Sequence, residues 1–112
     1  MRLNPDAVLP EWAARGEFTS VSRTGDELSV VCPTAHVPSN VPSPHRWVVL
    51  KLEGPFPFSV TGVLVSFLQP LSSNKVPIFA ISTYDTDYVL VQEEYREAAL
   101  ELLQGAGHQL IS

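Results

Sequence analysis

Two short stretches concentrate the polar side chains that could do chemistry in this chain. Ser59-Val-Thr-Gly62 sets two hydroxyls and a glycine ahead of an apolar run, and Ile81-Ser-Thr-Tyr-Asp-Thr-Asp-Tyr88 packs hydroxyls and carboxylates between apolar runs at 76–81 and 88–91. At the start of a helix, the first stretch would present free backbone N–H groups to an anion. The second reads as the tip of a hairpin whose flanks are short enough to be buried strands. These are two possible halves of one small-molecule site. Each also has a plainer reading. Ser59 and Thr61 are ordinary helix caps, and 83–87 is a polar turn with an Asx bond, a role that suits Asp85 better than Asp87. Tyr84 is either a lid ring or a packed turn aromatic. Asp85 and Asp87 as an acid–base pair or a cation site is a weak signal without a third oxygen-rich segment.

The elements that would position these stretches follow from periodicity. Arg46–Glu53 is rich in Val, Leu and Trp and stops at Gly54-Pro55, which predicts a strand. Val60, Val63, Leu64, Phe67, Leu68 and Leu71 form one face of a helix, capped by Ser59 or Thr61 and bent or ended by Pro70. A turn at 72–75 leads into the hairpin. Tyr95, Ala98, Ala99, Leu102 and Leu103 then repeat at helical spacing, with Glu93 and Glu94 in the favourable first turn and Gly105 or Gly107 at the end. His108–Ile111 is a candidate short terminal strand. From Arg46 onward the order is β-α-β-β-α-β, the ferredoxin-like split arrangement of an α+β fold.

Upstream, Pro10–Gly16 predicts a helix of about two turns anchored by Trp12. Phe18–Arg23 and Glu27–Cys32 flank Thr24-Gly25-Asp26, a hairpin signature. Met1-Arg2-Leu3 is too short to convince as an opening strand, so this first unit is expected to lack one. Four prolines between Pro33 and Pro44 predict an extended linker. The expected division is an abbreviated unit with linker at 1–42 and a complete domain at 43–112.

Bulk properties narrow the function. The 112 residues are 45% hydrophobic and 17% charged, which describes a globular chain and not a disordered tail. The net charge of −5 comes with scattered Lys and Arg, so a nucleic-acid-binding face is not expected. One cysteine, Cys32, and three distant histidines lack metal-site spacing, and Cys32 at the end of an apolar strand reads as a small buried hydrophobe. His36, His45 and His108 read as solvated, Trp47, Phe56 and Phe58 as core or corner plugs. No signal-like or membrane-spanning apolar run stands out, and a reducing, cytoplasmic setting is the expectation. No nucleophile–base spacing or phosphate loop supports an enzyme, and no cofactor is expected.

Leu50-Lys-Leu-Glu-Gly-Pro-Phe-Pro-Phe-Ser-Val-Thr-Gly-Val-Leu64 resembles the opening of the ACT domain family, with Gly62 at the glycine that starts the first helix. IFAISTYDTDYVLV and PEWAARGEFTSVSRTGDELSVVCP are closer to one branch, bacterial ACT-domain proteins related to the CASTOR cytosolic arginine sensors. The resemblance covers nearly the whole chain. It implies two ACT-like units, the first abbreviated, and a non-catalytic regulatory role in which an amino acid sits between ACT units. Carried over by motif, the ligand-binding residues are Thr61, Gly62 and Val63 at the helix and Thr83, Tyr84 and Asp87 at the hairpin. The helix would take the ligand's carboxylate and Asp87 its amine; a cationic side chain would need a second acid, for which Asp85 and Glu53 are the candidates. The sheet edge that a missing first strand would leave unpaired invites pairing with another chain, so a homodimer is expected, or else a regulated protein partner. The rival reading is a ligand-free interaction module of the same fold.

Overall fold

The computed structural model describes residues 1–43, 45–53 and 62–109, and it divides into a unit of Met1–Arg46 and a unit of Trp47–Ser112. In the first unit, Ser20–Arg23 (β2) and Leu28–Val31 (β3) form the expected antiparallel hairpin, with Ser22 opposite Ser29. The turn is held by the Thr24 hydroxyl, which accepts from the backbone N–H groups of Asp26 and Glu27 at 3.1 and 3.2 Å. The expectation of a missing opening strand is corrected. Arg2–Leu3 (β1) pairs antiparallel with the far side of β3, and the Val30 N–H extends the ladder to the Met1 carbonyl at 2.9 Å. A strand this short has no period of its own; the preformed edge of β3 supplies its register. The sheet order is β1-β3-β2.

The predicted two-turn helix is instead a 3-10 turn, Glu11–Ala14, followed by extended Arg15 and by Gly16 at φ 118°. It keeps only a short i→i+3 pattern, the Ala13 N–H to the Pro10 carbonyl at 3.0 Å. Its role is to plug Ala13, fully buried, against Leu28 and Val30. Arg23 reaches over this layer and donates to the carbonyls of Pro5 and Ala7. The proline-rich stretch contains one 3-10 turn, Thr34–His36, whose His36 ring meets the Arg15 carbonyl.

The second unit has the ferredoxin-like α+β order. Trp47–Lys51 (β4) leads to Val63–Ser73 (α1), then Ile78–Ser82 (β5), Asp87–Gln92 (β6) and Arg96–Gly105 (α2), with sheet order β4-β6-β5. Both β4 and β5 are antiparallel to β6 between them, so they are parallel to each other, a split βαβ unit. Leu50, Leu52, Val89, Val91 and Ile78 pack with Leu71, Phe67, Ala99 and Leu103 into one core. The opposite face sets Leu90 in register with Val49 and Phe79 and stacks Trp47 edge-on to Phe79 at 4.6 Å.

Two boundaries differ from expectation, and the glycine end of α2 matches it. Glu93–Tyr95 form a 3-10 turn ahead of α2. The end of α2 has Gly107 at φ 98°, with its N–H on the Gln104 carbonyl and the His108 N–H on the Leu103 carbonyl, both 3.0 Å, a Schellman pattern. Pro70 does not stop α1, which continues to Ser73. Its ring lacks the N–H that would bond to the Ser66 carbonyl one turn earlier. His108 supplies the substitute: its Nε2 lies 3.1 Å from that carbonyl and its ring stands edge-on to Phe67 at 5.1 Å. A carbonyl only accepts, so Nε2 carries the proton. His108→Ala should therefore cost about 1 kcal/mol of stability in the parent chain and clearly less in Pro70→Ala, where the backbone N–H returns; urea unfolding of the four chains of this cycle measures the difference. The expected strand 108–111 lies largely outside the described residues, and within them His108 and Gln109 are not in a strand.

Candidate functional site

The chain enters α1 through Gly62, whose φ of 79° is a left-handed conformation that glycine adopts without steric cost. Among the described residues no side chain caps this end; Ser59 and Thr61, the expected caps, lie outside them. The Gly62 carbonyl accepts the Ser66 N–H at 2.9 Å, starting the helical ladder. The N–H groups of the first turn precede that ladder and have no intrahelical acceptor. Among the described residues, a Cβ added to Gly62 would meet nothing within 4 Å.

The β5–β6 turn is built by Thr83 and Thr86. The Thr83 N–H and hydroxyl both donate to the Thr86 carbonyl, at 2.8 and 3.0 Å, which replaces the expected Asx closure. Thr86, buried at 5% exposure, donates its hydroxyl to the Leu52 carbonyl at 2.9 Å. The Leu52 N–H in turn donates to the Asp87 carbonyl at 3.0 Å. The turn is thus fastened to the exit of β4, just before the segment that leads into α1. Asp87 is the first residue of β6, opposite Ser82, and accepts the Ser82 hydroxyl. Tyr84 is 83% exposed, so it is not a packed turn aromatic.

Leu52 and Val63 also line a cavity of about 520 Å³ between β4 and the two helices, together with Phe67, Leu100, Leu103 and Gln104. Of the six carried-over residues, Val63 lines this cavity, Gly62 adjoins it in sequence, and Thr83 and Asp87 belong to the turn bonded to its Leu52 wall. Thr61 lies outside the described residues, as do Phe56 and Phe58. Glu53 lines the cavity, whereas Asp85 does not. Sequence reasoning missed Thr86 and His108 as structural partners. A threonine flanked by aspartates carries no mark of a buried bond to a residue 34 positions away.

The electrostatics are plain. Burial pushes the Cys32 thiol above its ordinary range, against a smaller opposing pull from the Met1 ammonium, so the thiolate is disfavoured. Among the described residues no group of His, Cys, Asp and Glu is placed to hold a metal, and no helix is long and apolar enough to cross a membrane. Free N–H groups at a helix start can take a carboxylate, and a largely apolar slot can take a side chain.

The family model for the ACT domain matches residues 42–105. A second model, for an N-terminal domain, matches residues 1–40. The chain is similar to a protein from Agobacterium tumefaciens, a structural-genomics target solved by X-ray crystallography: identity is 42%, the TM-score is 0.90, and the match covers 98% of this chain and 82% of that one. No curated protein matches the chain.

Proposed function

Because the chain belongs to the ACT domain family, a family of regulatory modules, we propose that it is a non-catalytic regulatory protein that binds an amino acid at an interface between ACT units. The observation that carries this reading is that the start of α1, where Val63 shares a cavity with Leu52 and Glu53 and no described side chain caps the helix, and the turn before Asp87 both meet the exit of β4. The helix N–H groups suit the ligand's carboxylate, and Asp87 suits its ammonium. The finer resemblance, to bacterial relatives of the CASTOR arginine sensors, belongs to this proposal, as do a cytoplasmic setting and signalling through a homodimer or a protein partner. Ligand binding would favour the docked arrangement of units by its differential affinity for that arrangement.

The test is a thermal-shift screen against the proteinogenic amino acids, repeated with Asp87→Ala. A ligand at about 100 times its Kd adds roughly 2.7 kcal/mol, which should raise the melting temperature by several degrees. A shift from one or two amino acids that disappears in Asp87→Ala is the expected result. The ligand-free interaction module is the second reading, favoured by the bond that already occupies Asp87 through the Ser82 hydroxyl. Its signature is a folded protein that no amino acid stabilises.

A further inference from the structure

The cavity beside β4 has a chemistry that the site residues alone do not specify. Its apolar lining residues include Leu52, Val63, Phe67, Leu100 and Leu103. Among the described lining residues Lys51 and Glu53, exposed and of opposite charge, are the fully charged ones, and Ser66, Gln104, His108 and Gln109 add further polar groups. Leu52 turns its N–H toward β6. In an antiparallel ladder neighbouring residues alternate in direction, so the N–H and C=O of Lys51 turn the other way, toward the outer edge of β4. Among the described residues no strand pairs with that edge. The cavity therefore combines an apolar body, a balanced pair of charges and backbone groups that both donate and accept. Its volume of about 520 Å³ lies within the range of small-molecule sites.

We infer that this cavity takes the side chain of the ligand, and that the amino acid bound is an apolar one, branched or aromatic, carrying no net charge. The inference rests on the amino-acid-binding reading above and narrows it. A guanidinium placed among these leucines, Val63 and Phe67 would lose hydration with Glu53 as its sole acidic partner among the described lining residues, a poor exchange for a buried charge. A leucine or phenylalanine side chain instead removes apolar surface from water on both partners. The zwitterionic head stays at the mouth, where Val63 follows Gly62 and Leu52 is bonded to Asp87.

The experiment is isothermal titration of leucine, isoleucine, methionine, phenylalanine and arginine into the full chain and into Gln104→Trp, which fills the cavity from an exposed position of α2. Ser66→Phe, from an exposed position of α1, is a second filling variant in case the first does not fold by circular dichroism. The expected result is saturable binding of at least one apolar amino acid, weakened at least tenfold in the filled variant, with arginine much weaker. Binding of arginine in preference to the apolar set overturns the inference and leaves the amino-acid-binding reading standing. Undiminished binding of an apolar ligand in a folded filled variant overturns the placement in this cavity. Absence of binding by every amino acid in the thermal-shift screen overturns the parent reading and this one with it.

Discussion

Replacing Gly16 by alanine is expected to lower the melting temperature by at least about 10 °C, equivalent to a loss of about 2–3 kcal/mol or more. A Cβ at this position would lie 2.2 Å from Cγ and 2.9 Å from Cδ of Pro33, distances at which something must move. The neighbour is a proline ring with little freedom to yield. Gly16 also sits at φ 118°, a conformation that side chains rarely adopt, so relieving the clash leaves the backbone strain in place. The position joins the 3-10 turn that carries buried Ala13 to the hairpin of the first unit, and shifting it would pull Ala13 away from Leu28 and Val30. Gly25→Ala is the control: a Cβ there would meet nothing within 4 Å and the φ is not positive, so a change within about 1 kcal/mol is expected. Differential scanning calorimetry of the two variants against the parent decides the matter, and equal melting points would show that the Pro33 contact does not constrain the fold.

Leu71→Ala should cost about 3–5 kcal/mol, the range for truncating a fully buried leucine in a core that relaxes only in part. Leu71 has no exposed surface and packs in the core with Leu52, Val76, Val89, Val91, Ala99 and Leu103. It also lies in the last turn of α1, where its carbonyl accepts the N–H groups of Asn74 and Val76 at 3.2 and 3.1 Å, so the residue binds the helix exit to the approach of β5. The loss is a large share of the roughly 5–15 kcal/mol that keeps a typical domain folded. Urea unfolding gives the magnitude, and hydrogen exchange locates it: amides of β6 should lose protection. A loss below about 1 kcal/mol would mean that the core collapses around the alanine without leaving a void.

These two positions bear on function differently from the candidate site residues. Leu71 supports the core whose other face lines the proposed side-chain slot through Phe67 and Leu103, so its truncation should weaken ligand binding together with stability. Asp87→Ala, by contrast, removes one hydrogen bond from an exposed serine and leaves the core intact, and its effect should appear in ligand binding. Comparing the two separates a residue that builds the site from one that meets the ligand.

The helices and hairpins of this chain are legible in its sequence because the forces that define them are local. Phe67, Leu68 and Leu71 recur at helical spacing, Thr24-Gly25-Asp26 closes a hairpin by bonds within three residues, and the ladder of β5 and β6 follows from two apolar runs around a polar turn. The ferredoxin-like order follows from those elements in sequence. What the sequence left undecided is set by partners far apart in the chain. Arg2–Leu3 becomes a strand because β3, which begins only at Leu28, offers an edge. Pro70 stays inside its helix because His108 restores the bond its ring removes, across 42 positions. Thr86 fastens the candidate site to Leu52 across 34. The cavity is the clearest case: its walls come from β4, α1 and α2, and apolar periodicity marks each of them merely as core. Periodicity says which faces turn inward; only tertiary packing decides where those faces meet without filling the space between them.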